Sequence, residues 1–292
     1  MTESPESWLT QAGYPEITRT DPVSGGCINA ASRLTLADGR TLFLKSNQQA
    51  PTDMFAAEAA GLAALAERQA LRIPSVLHAS KRFILLEDLG AGSRKQDYWQ
   101  RLGVGLAQLH RQPAQHFGFD SDNYCGETTQ ANAPNSDGYQ FFAQRRMLAL
   151  ANRCLEQGLL QAELMTKLDC LAKRLPQWIP EMPAVLIHGD LWSGNVHCCE
   201  DGAPALVDPA AYWGWAEADL AMTRLFGGFP AEFYDSYRAN SALAEDWEQR
   251  IPLYNLYHLL NHLLLFGGGY LASVAEIADR FGRKVRKFDA AH

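Results

Sequence analysis

The chain has 292 residues, of which 47% are hydrophobic and 20% charged, and its formal net charge at pH 7 is −7. This is the composition of a globular protein with one large domain or two modest ones, and the negative charge argues against an extended basic surface for nucleic acid or an anionic membrane. The N-terminal segment lacks the apolar run of a secretory signal, and no stretch reaches the roughly 18 apolar residues of a membrane span. We therefore expect a cytoplasmic protein with reduced thiols.

The first third of the chain is predicted to be rich in β-strands. Asp38 and Gly39 form a turn between two segments with alternating apolar residues, which is typical of a β-hairpin. The predicted elements are, in chain order, a strand that ends in a turn over 22–27, strands over 28–36 and 41–45, a helix from a cap at Thr52 or Asp53 to about Ala70, and strands over 76–79 and 82–87. Residues 1–88 are therefore predicted to form a small lobe that contains a sheet and a helix.

From Leu89 onward the apolar residues recur mainly at helical spacing, as Leu102, Leu106 and Leu109 do. The exceptions are a turn-rich segment over 117–136 and two short apolar strands over 184–187 and 205–207, after which residues 217–288 are again helical in period. Residues 89–292 are predicted to form a larger, mainly helical lobe. The predicted fold class is α+β and bilobal, and a junction between lobes is a common position for a ligand cleft.

Three polar residues lie in and after the segment between the two short strands. Asp190 and Asn195 are five residues apart within residues 188–195, and Asp208 follows the next strand. Phosphoryl transfer to an alcohol needs a carboxylate for the hydroxyl proton and oxygen ligands for Mg²⁺, and the protein-kinase catalytic loop has this Asp-to-Asn spacing. A structural turn explains the segment alone equally well. Asp208 on the following strand favours a kinase with Asp190 as the base and Asn195 and Asp208 as metal ligands.

A second pair of charged residues, in the N-terminal lobe, supports an ATP site. Lys45 ends a predicted strand and Glu58 lies on the next helix, as do the phosphate-binding lysine of kinases and its partner. A surface ion pair is the alternative. The remaining nucleotide contacts are predicted in a glycine turn over the phosphates and at the lobe junction beside adenine, namely Gly25, Gly26 and Cys27, and Glu87 and Leu89. A hairpin turn and a buried strand explain those two segments equally well.

With these residues in place, the chain resembles the fructosamine kinase family, the ketosamine kinases related to aminoglycoside and choline kinases. The resemblance covers nearly the whole chain and rests on residues 25–28, 42–45, 54–58, 109–110, 117–120, 123–124, 141–146, 188–195, 208–210, 214, 217, 219–222 and 226–229. Trp192 and residues 226–229 separate this family from other small-molecule kinases. The chain departs from the family pattern at Ser24, Thr129 and Tyr139, none of which is a predicted catalytic residue.

The resemblance implies a protein-kinase-like fold that uses ATP and Mg²⁺ to phosphorylate the third-carbon hydroxyl of a ketosamine, the adduct of an amine and a sugar. The unstable product releases the amine, so the family is regarded as deglycating. By resemblance, Asp190 is the base, Asn195 and Asp208 bind Mg²⁺, and Lys45 and Glu58 position the nucleotide. The resemblance does not decide between ribulosamine, erythrulosamine and fructosamine as the substrate, or between free and protein-bound forms. It also leaves the oligomeric state undecided between a monomer and a dimer.

Trp192 and Glu217 are the predicted substrate contacts. The indole of Trp192 offers a face to a sugar and a nearby cation, and ordinary packing between loop and helix is the alternative. Glu217 or Asp219 would hold the substrate amine or lie at a helix N-terminus, and we favour the helix role for Asp219. We expect His188 to brace the loop rather than to transfer protons.

Two functional alternatives and one regulatory hypothesis accompany this prediction. An aminoglycoside, choline or homoserine-type kinase would share the fold, but Trp192 and residues 226–229 argue against it. A non-catalytic, nucleotide-binding pseudokinase is disfavoured because all the predicted phosphoryl-transfer residues are present. Cys27 is either an oxidisable thiol beside the phosphate-binding amides or a small residue tolerated in a tight turn.

Overall fold

A five-stranded antiparallel sheet forms the N-terminal part of the molecule. The computed structural model describes residues 3–23 and 29–282, so the predicted phosphate-loop residues Gly25, Gly26 and Cys27 lie outside the described residues. The elements are α1 (Pro5–Gln11), β1 (Ile17–Val23), β2 (Ala30–Leu36), β3 (Thr41–Ser46), α2 (Met54–Glu67), β4 (Val76–Ala79) and β5 (Phe83–Glu87). The strands are arranged in the order β1-β2-β3-β5-β4.

Strand β5 is buried on both faces of this sheet. Phe83 and Leu85 pack in a small apolar cluster that includes Leu9 of α1, whereas Ile84 and Leu86 pack in the main core. This division follows from the two-residue period of a β-strand, which sends successive side chains to opposite faces. The sheet is therefore covered on one side by α1 and on the other by the core that α2 shares with the rest of the molecule.

The rest of the chain is mainly helical. Its first elements are α3 (Tyr98–Leu109), β6 (Pro113–Ala114), β7 (Asn123–Cys125), β8 (Thr128–Gln130), α4 (Gly138–Phe141), a π-helix (Phe142–Leu148), α5 (Ala149–Glu156), α6 (Ala162–Ala172) and α7 (Leu175–Trp178). They are followed by β9 (Ala184–Ile187), a 3₁₀ turn (Ser193–Asn195), β10 (Val196–Cys198), β11 (Pro204–Leu206), β12 (Tyr212–Gly214), α8 (Ala216–Leu225), α9 (Ala231–Ala239), a 3₁₀ turn (Trp247–Arg250), α10 (Ile251–Phe266), a 3₁₀ turn (Gly268–Tyr270) and α11 (Leu271–Gly282). Strand β9 is the centre of a three-stranded sheet with the order β12-β9-β6.

Helix α10 is largely buried and forms one wall of the site described below. Leu253, Leu256, Leu260 and Leu263 are all 0% exposed, and the helix packs against α5, α8 and α11. A helix that is apolar on most of its surface is buried inside a protein or crosses a membrane. Among the residues that the structure describes, no helix is long and apolar enough to cross a membrane.

Most predicted elements are found, but several of their ends differ from the prediction. The helix after β3 ends at Glu67 rather than near Ala70, and Gln69 then has a φ of 52°, in the left-handed region. Asp53 occupies the N-cap position of this helix, but its side chain makes no capping hydrogen bond and instead accepts one of 2.6 Å from the hydroxyl of Tyr124.

The C-terminal part differs from the prediction at three places. Helical structure starts at Tyr98, later than the predicted change at Leu89. The turn-rich segment over 117–136 contains the hairpin of β7 and β8, and the second short strand is Pro204–Leu206 rather than 205–207. The division into lobes over 1–88 and 89–292 stays a prediction, with β5 ending at Glu87.

Candidate active site

The conformation of the loop between β9 and β10 depends on a glycine. Any other residue at this position would displace a neighbouring backbone segment. Gly189 has a φ of 82°, and a Cβ atom built on it would lie 2.1 Å from the carbonyl oxygen of Ala210. The neighbouring residue His188 accepts a backbone hydrogen bond of 3.0 Å from Ala210 through its carbonyl oxygen. This close approach of two backbone segments places Asp190 just beyond the end of β9.

Asp190 and Asn195 are brought together by the 3₁₀ turn. The Nδ2 group of Asn195 donates to the backbone carbonyl of Asp190 at 2.8 Å and to its Oδ2 atom at 3.0 Å. The side chain of Asp190 is 23% exposed, and burial raises the pKa of its carboxyl group to about 7. A carboxylate with a pKa near neutrality suits a general base, because it is ionised at working pH and still accepts a proton readily.

His188 braces the loop, as expected from the sequence. Its Nε2 atom lies 2.9 Å from the carbonyl oxygen of Val207, and its Nδ1 atom lies 3.3 Å from the backbone nitrogen of Asp190. Burial lowers the pKa of His188, so the ring is neutral, with Nε2–H as donor and Nδ1 as acceptor. The two contacts tie Asp190 to the segment that carries Asp208.

Asp208 lies at a strained backbone position that faces the N-terminal lobe. Its φ of 57° is in the left-handed region, where aspartate is one of the few tolerated residues other than glycine. Its carboxylate contacts the ammonium of Lys45, and its side chain is 45% exposed. Lys45 also donates a hydrogen bond of 2.6 Å to Glu58. Lys45 is 7% exposed, so the surface ion pair considered above is excluded.

Asp219 has a role that the sequence prediction missed. It is 1% exposed at the start of α8, and its carboxylate accepts hydrogen bonds of 2.7 Å and 2.9 Å from the backbone amides of His188 and Gly189. Burial alone would raise its pKa, but the hydrogen bond and charge of His110, with Nε2 at 3.3 Å, hold the pKa below its usual value. Asp219 therefore anchors the loop that carries Asp190. His110 lies four residues after Leu106 and thus on the apolar face of the predicted helix, which was an available signal.

The prediction that Glu217 contacts the substrate is corrected by its position. Both of its carboxylate oxygens accept hydrogen bonds of 2.7 Å from the guanidinium of Arg250. Glu217 is 2% exposed and Arg250 is 4% exposed. A carboxylate that is 2% exposed and held by a bidentate partner inside the protein is not accessible to a substrate amine. This pair instead joins α8 to the 3₁₀ turn before α10.

The last residue of β5 and the segment after it make polar contacts at the predicted adenine site. The carboxylate of Glu87 accepts from the side chain of Arg72 and, at 3.1 Å, from the backbone amide of Ser75, so the side chain is occupied within the lobe. The carbonyl oxygen of Leu89 accepts a hydrogen bond of 2.9 Å from the amide of Glu200. Contacts between adenine and Glu87 or Leu89 stay a prediction, and they would use backbone groups that these hydrogen bonds do not occupy.

Trp192 lies over the turn that follows the base. The indole is half-buried and covers Gly194, where a Cβ atom would meet a ring carbon at 2.3 Å. Its ring also meets Phe226 edge to face, with centroids 6.2 Å apart, and Phe226 in turn contacts His262 at 5.1 Å. Phe226 is 39% exposed. The packing alternative for Trp192 is thus partly correct, and the indole also belongs to an aromatic surface beside the catalytic loop.

His258 on α10 is a second residue that the sequence prediction missed. Its Nδ1 atom lies 3.9 Å from Oδ1 of Asp190, and the imidazole is almost completely buried. Cys125 is the other buried neighbour, and one ligand atom from each of these three residues lies within 4.8 Å of the others. Nothing in the apolar pattern of α10 distinguishes the face that meets the catalytic loop.

Comparison with known proteins gives one consistent result. The model of the fructosamine kinase family matches residues 1–284. A probable ketoamine kinase of Synechocystis is 42% identical over 285 residues, covering 91% of this chain and 94% of the relative. A chloroplastic protein-ribulosamine 3-kinase of Arabidopsis thaliana is 34% identical over 298 residues, covering 98% of this chain and 90% of that protein.

The structural comparison agrees with the sequence comparison. The crystal structure of a candidate fructosamine-3-kinase from Thermobifida fusca superposes with a TM-score of 0.86 at 32% identity, covering 97% of this chain and 99% of that one. The predicted α+β, bilobal, kinase-like fold is thereby confirmed. The chain belongs to the fructosamine kinase family.

Proposed function

We propose that this kinase transfers the γ-phosphoryl group of ATP to the third-carbon hydroxyl of a ketosamine. The observation that carries the proposal is the arrangement around residues 188–195. The candidate base Asp190 shares Asn195 with the segment of Asp208, and Asp208 contacts the candidate phosphate-binding residue Lys45. A kinase needs these groups at the two ends of one cleft, because the acceptor hydroxyl and the γ-phosphate meet between them.

The nucleotide end of the site is supported by the pairing of Lys45. Glu58 holds the ammonium in place, and the exposed carboxylate of Asp208 lies beside it. Asn195 uses its Nδ2 group for Asp190, which leaves its amide oxygen for another partner. An amide oxygen and a carboxylate are hard ligands that suit Mg²⁺, so Asn195 and Asp208 would hold the ion. When bound, Mg²⁺ would neutralise charge that develops on the phosphate oxygens.

The acceptor end is supported by the environment of Asp190. The half-buried carboxylate accepts the proton of the substrate hydroxyl, and Asn195 fixes the orientation of one of its oxygens. Trp192 and Phe226 form an aromatic wall next to this base. Such a wall fits the less polar face of a sugar and the cationic amine attached to it.

The names of the relatives support a sugar-amine acceptor, and the Arabidopsis relative in particular is named a protein-ribulosamine 3-kinase. We therefore place ribulosamine first among the candidate substrates, ahead of erythrulosamine and fructosamine, with free and protein-bound forms both to be tested. Phosphorylation at the third carbon would lead to loss of the sugar and recovery of the amine. A cytoplasmic location stays an expectation.

A substrate panel tests the proposal. The purified protein is incubated with ATP, Mg²⁺ and the ribulosamine, erythrulosamine or fructosamine adduct of lysine, and consumption of ATP is measured. The position of the phosphate is then determined by NMR. We expect transfer to the third-carbon hydroxyl of at least one adduct. Phosphorylation of aminoglycosides or choline with no reaction on any adduct would refute the proposed substrate class.

A further inference from the structure

His258 is a buried polar residue whose ring faces the candidate base. The residue is 5% exposed, and its Nδ1 atom is buried with no hydrogen-bond partner among the residues that the structure describes. That atom lies 3.9 Å from Oδ1 of Asp190. A buried nitrogen without a partner costs free energy, so its presence calls for a functional explanation.

His262, one turn further along α10, shows how a histidine on this helix can satisfy its ring locally. The Nδ1 atom of His262 lies 2.7 Å from the backbone carbonyl oxygen of His258, a local contact that satisfies the ring. An imidazole that served only to fill space on this helix could do the same with the carbonyl one turn before it. His258 instead directs its Nδ1 atom towards Asp190.

The electrostatic surroundings keep His258 neutral. Burial lowers the pKa of His258 to about 3, with His262 and Arg146 acting in the same direction and Asp219 opposing them. The close approach to Asp190 is therefore not an ion pair. A neutral imidazole with its proton on Nδ1 is a hydrogen-bond donor, and the Oδ1 atom of Asp190, a possible acceptor, lies 3.9 Å away.

The two oxygens of Asp190 differ in how they are held. Oδ2 accepts a hydrogen bond of 3.0 Å from Asn195, whereas Oδ1 faces His258 across 3.9 Å. A hydrogen bond between nitrogen and oxygen is usually about 2.9 Å, so a movement of about 1 Å would form one. Hydrogen bonds to catalytic groups are often long in the absence of ligands and shorten in the reactive complex.

We propose that His258 is a positioning residue for the base. In the complex with ATP and acceptor, its Nδ1–H donates to Oδ1 of Asp190, while Asn195 continues to donate to Oδ2. The carboxylate plane is then fixed from both sides, and a remaining lone pair is directed at the acceptor hydroxyl. The inference rests on the proposed kinase function and adds to it a residue on α10, far from the catalytic loop in sequence.

The test compares three substitutions on α10. His258→Leu removes the donor, and His258→Asn retains it because the Nδ2 group of Asn occupies nearly the position of Nδ1. Tyr254→Phe is the control on the same helix, since it removes a buried hydroxyl whose charged neighbour is Glu217 of the pair with Arg250. The measurements are kcat, the KM values for ATP and for the ketosamine, and the thermal unfolding midpoint. His258→Met replaces His258→Leu if the latter does not fold.

We expect His258→Leu to lower kcat roughly 10- to 100-fold, the effect of losing one hydrogen bond to a charged group, with both KM values within about twofold of the wild type. His258→Asn should retain kcat within about threefold, and Tyr254→Phe should leave it unchanged. The proposal is overturned if the apolar variants retain kcat, if His258→Asn is impaired as much as they are, or if the loss is in KM.

The result is separable from that of the substrate panel. The kcat values are compared on whichever alcohol the wild type phosphorylates. Failure of the ketosamine panel would refute the substrate class, and the comparison of the His258 variants would still be made on the alternative acceptor.

Discussion

The two ends of the cleft differ in how their polar groups are balanced. At the nucleotide end, Lys45 contacts the carboxylates of both Glu58 and Asp208. At the acceptor end, the carboxylate of Asp190 has one side-chain donor, Asn195, and faces the neutral ring of His258 across a gap. The nucleotide end is therefore held by paired charges before any ligand binds, whereas the acceptor end carries groups that are left unsatisfied. Polar groups without partners lower the stability of the fold, and groups of this kind are typical of catalytic sites, so we expect the chemistry at the acceptor end.

Removal of the base should produce the largest effect. Asp190→Asn keeps the size of the side chain but removes the proton acceptor, so we expect kcat to fall about 10³-fold with the KM for ATP nearly unchanged. Steady-state kinetics on the best ketosamine of the panel measures this. Asp120→Asn, at an exposed position, is the control. A kcat within tenfold of the wild type would assign the base to another residue.

Breaking the buried ion pair between Glu217 and Arg250 should lower the stability of the fold and leave the reaction unaffected. Arg250→Met leaves the carboxylate of Glu217 buried without its partner, and we expect a loss of about 3 kcal/mol in the free energy of unfolding. Urea denaturation measures the change. The KM for the ketosamine should stay within about twofold, and a rise of tenfold or more would restore Glu217 as a substrate contact.

Loss of the paired lysine should affect nucleotide use and leave the affinity for the acceptor intact. Lys45→Met removes the ammonium between Glu58 and Asp208, and we expect kcat/KM for ATP to fall roughly 10- to 100-fold. The KM for the ketosamine should change little. Lys81→Met, at an exposed position, is the control, and an equal loss in both variants would exclude a specific role for Lys45.

The smallest expected effect is a pH-dependent gain in stability at the acceptor end. Burial raises the pKa of Asp190 from 3.8 to about 7, so the wild-type fold is favoured by this group at low pH and loses that contribution as the pH rises through 7. Asp190→Asn has no charge to bury. We expect the variant to unfold at a higher urea concentration than the wild type at pH 8, and this gain in stability to vanish near pH 4. A gain that is equal at both values of pH would contradict the raised pKa.

The fold and the nucleotide end were largely predictable from the sequence. Lys45 and Glu58 lie on consecutive elements, so a strand followed by a helix is enough to bring them together. Asp190 and Asn195 are five residues apart, and their contact is local. The family resemblance added the ketosamine to a site whose chemistry was already indicated by these residues.

The contacts that escaped prediction are those between residues distant in sequence. Glu217 and Asp219 both lie in the first turn of α8, but one meets Arg250 and the other meets the loop of His188. No local pattern states which acid points in which direction. His258 was missed for the same reason, because α10 is buried on most of its surface and its apolar pattern does not mark the face beside Asp190.

The covering of the sheet by α1 has a practical consequence for anyone who shortens the chain. Leu9 closes an apolar cluster against Phe83 and Leu85, and β5, to which they belong, pairs directly with the strand of Lys45. Without the first 12 residues, one face of the sheet would be exposed to water next to the open edge of β1. Such a surface promotes self-association, so an N-terminal tag should be added to this helix rather than replace it.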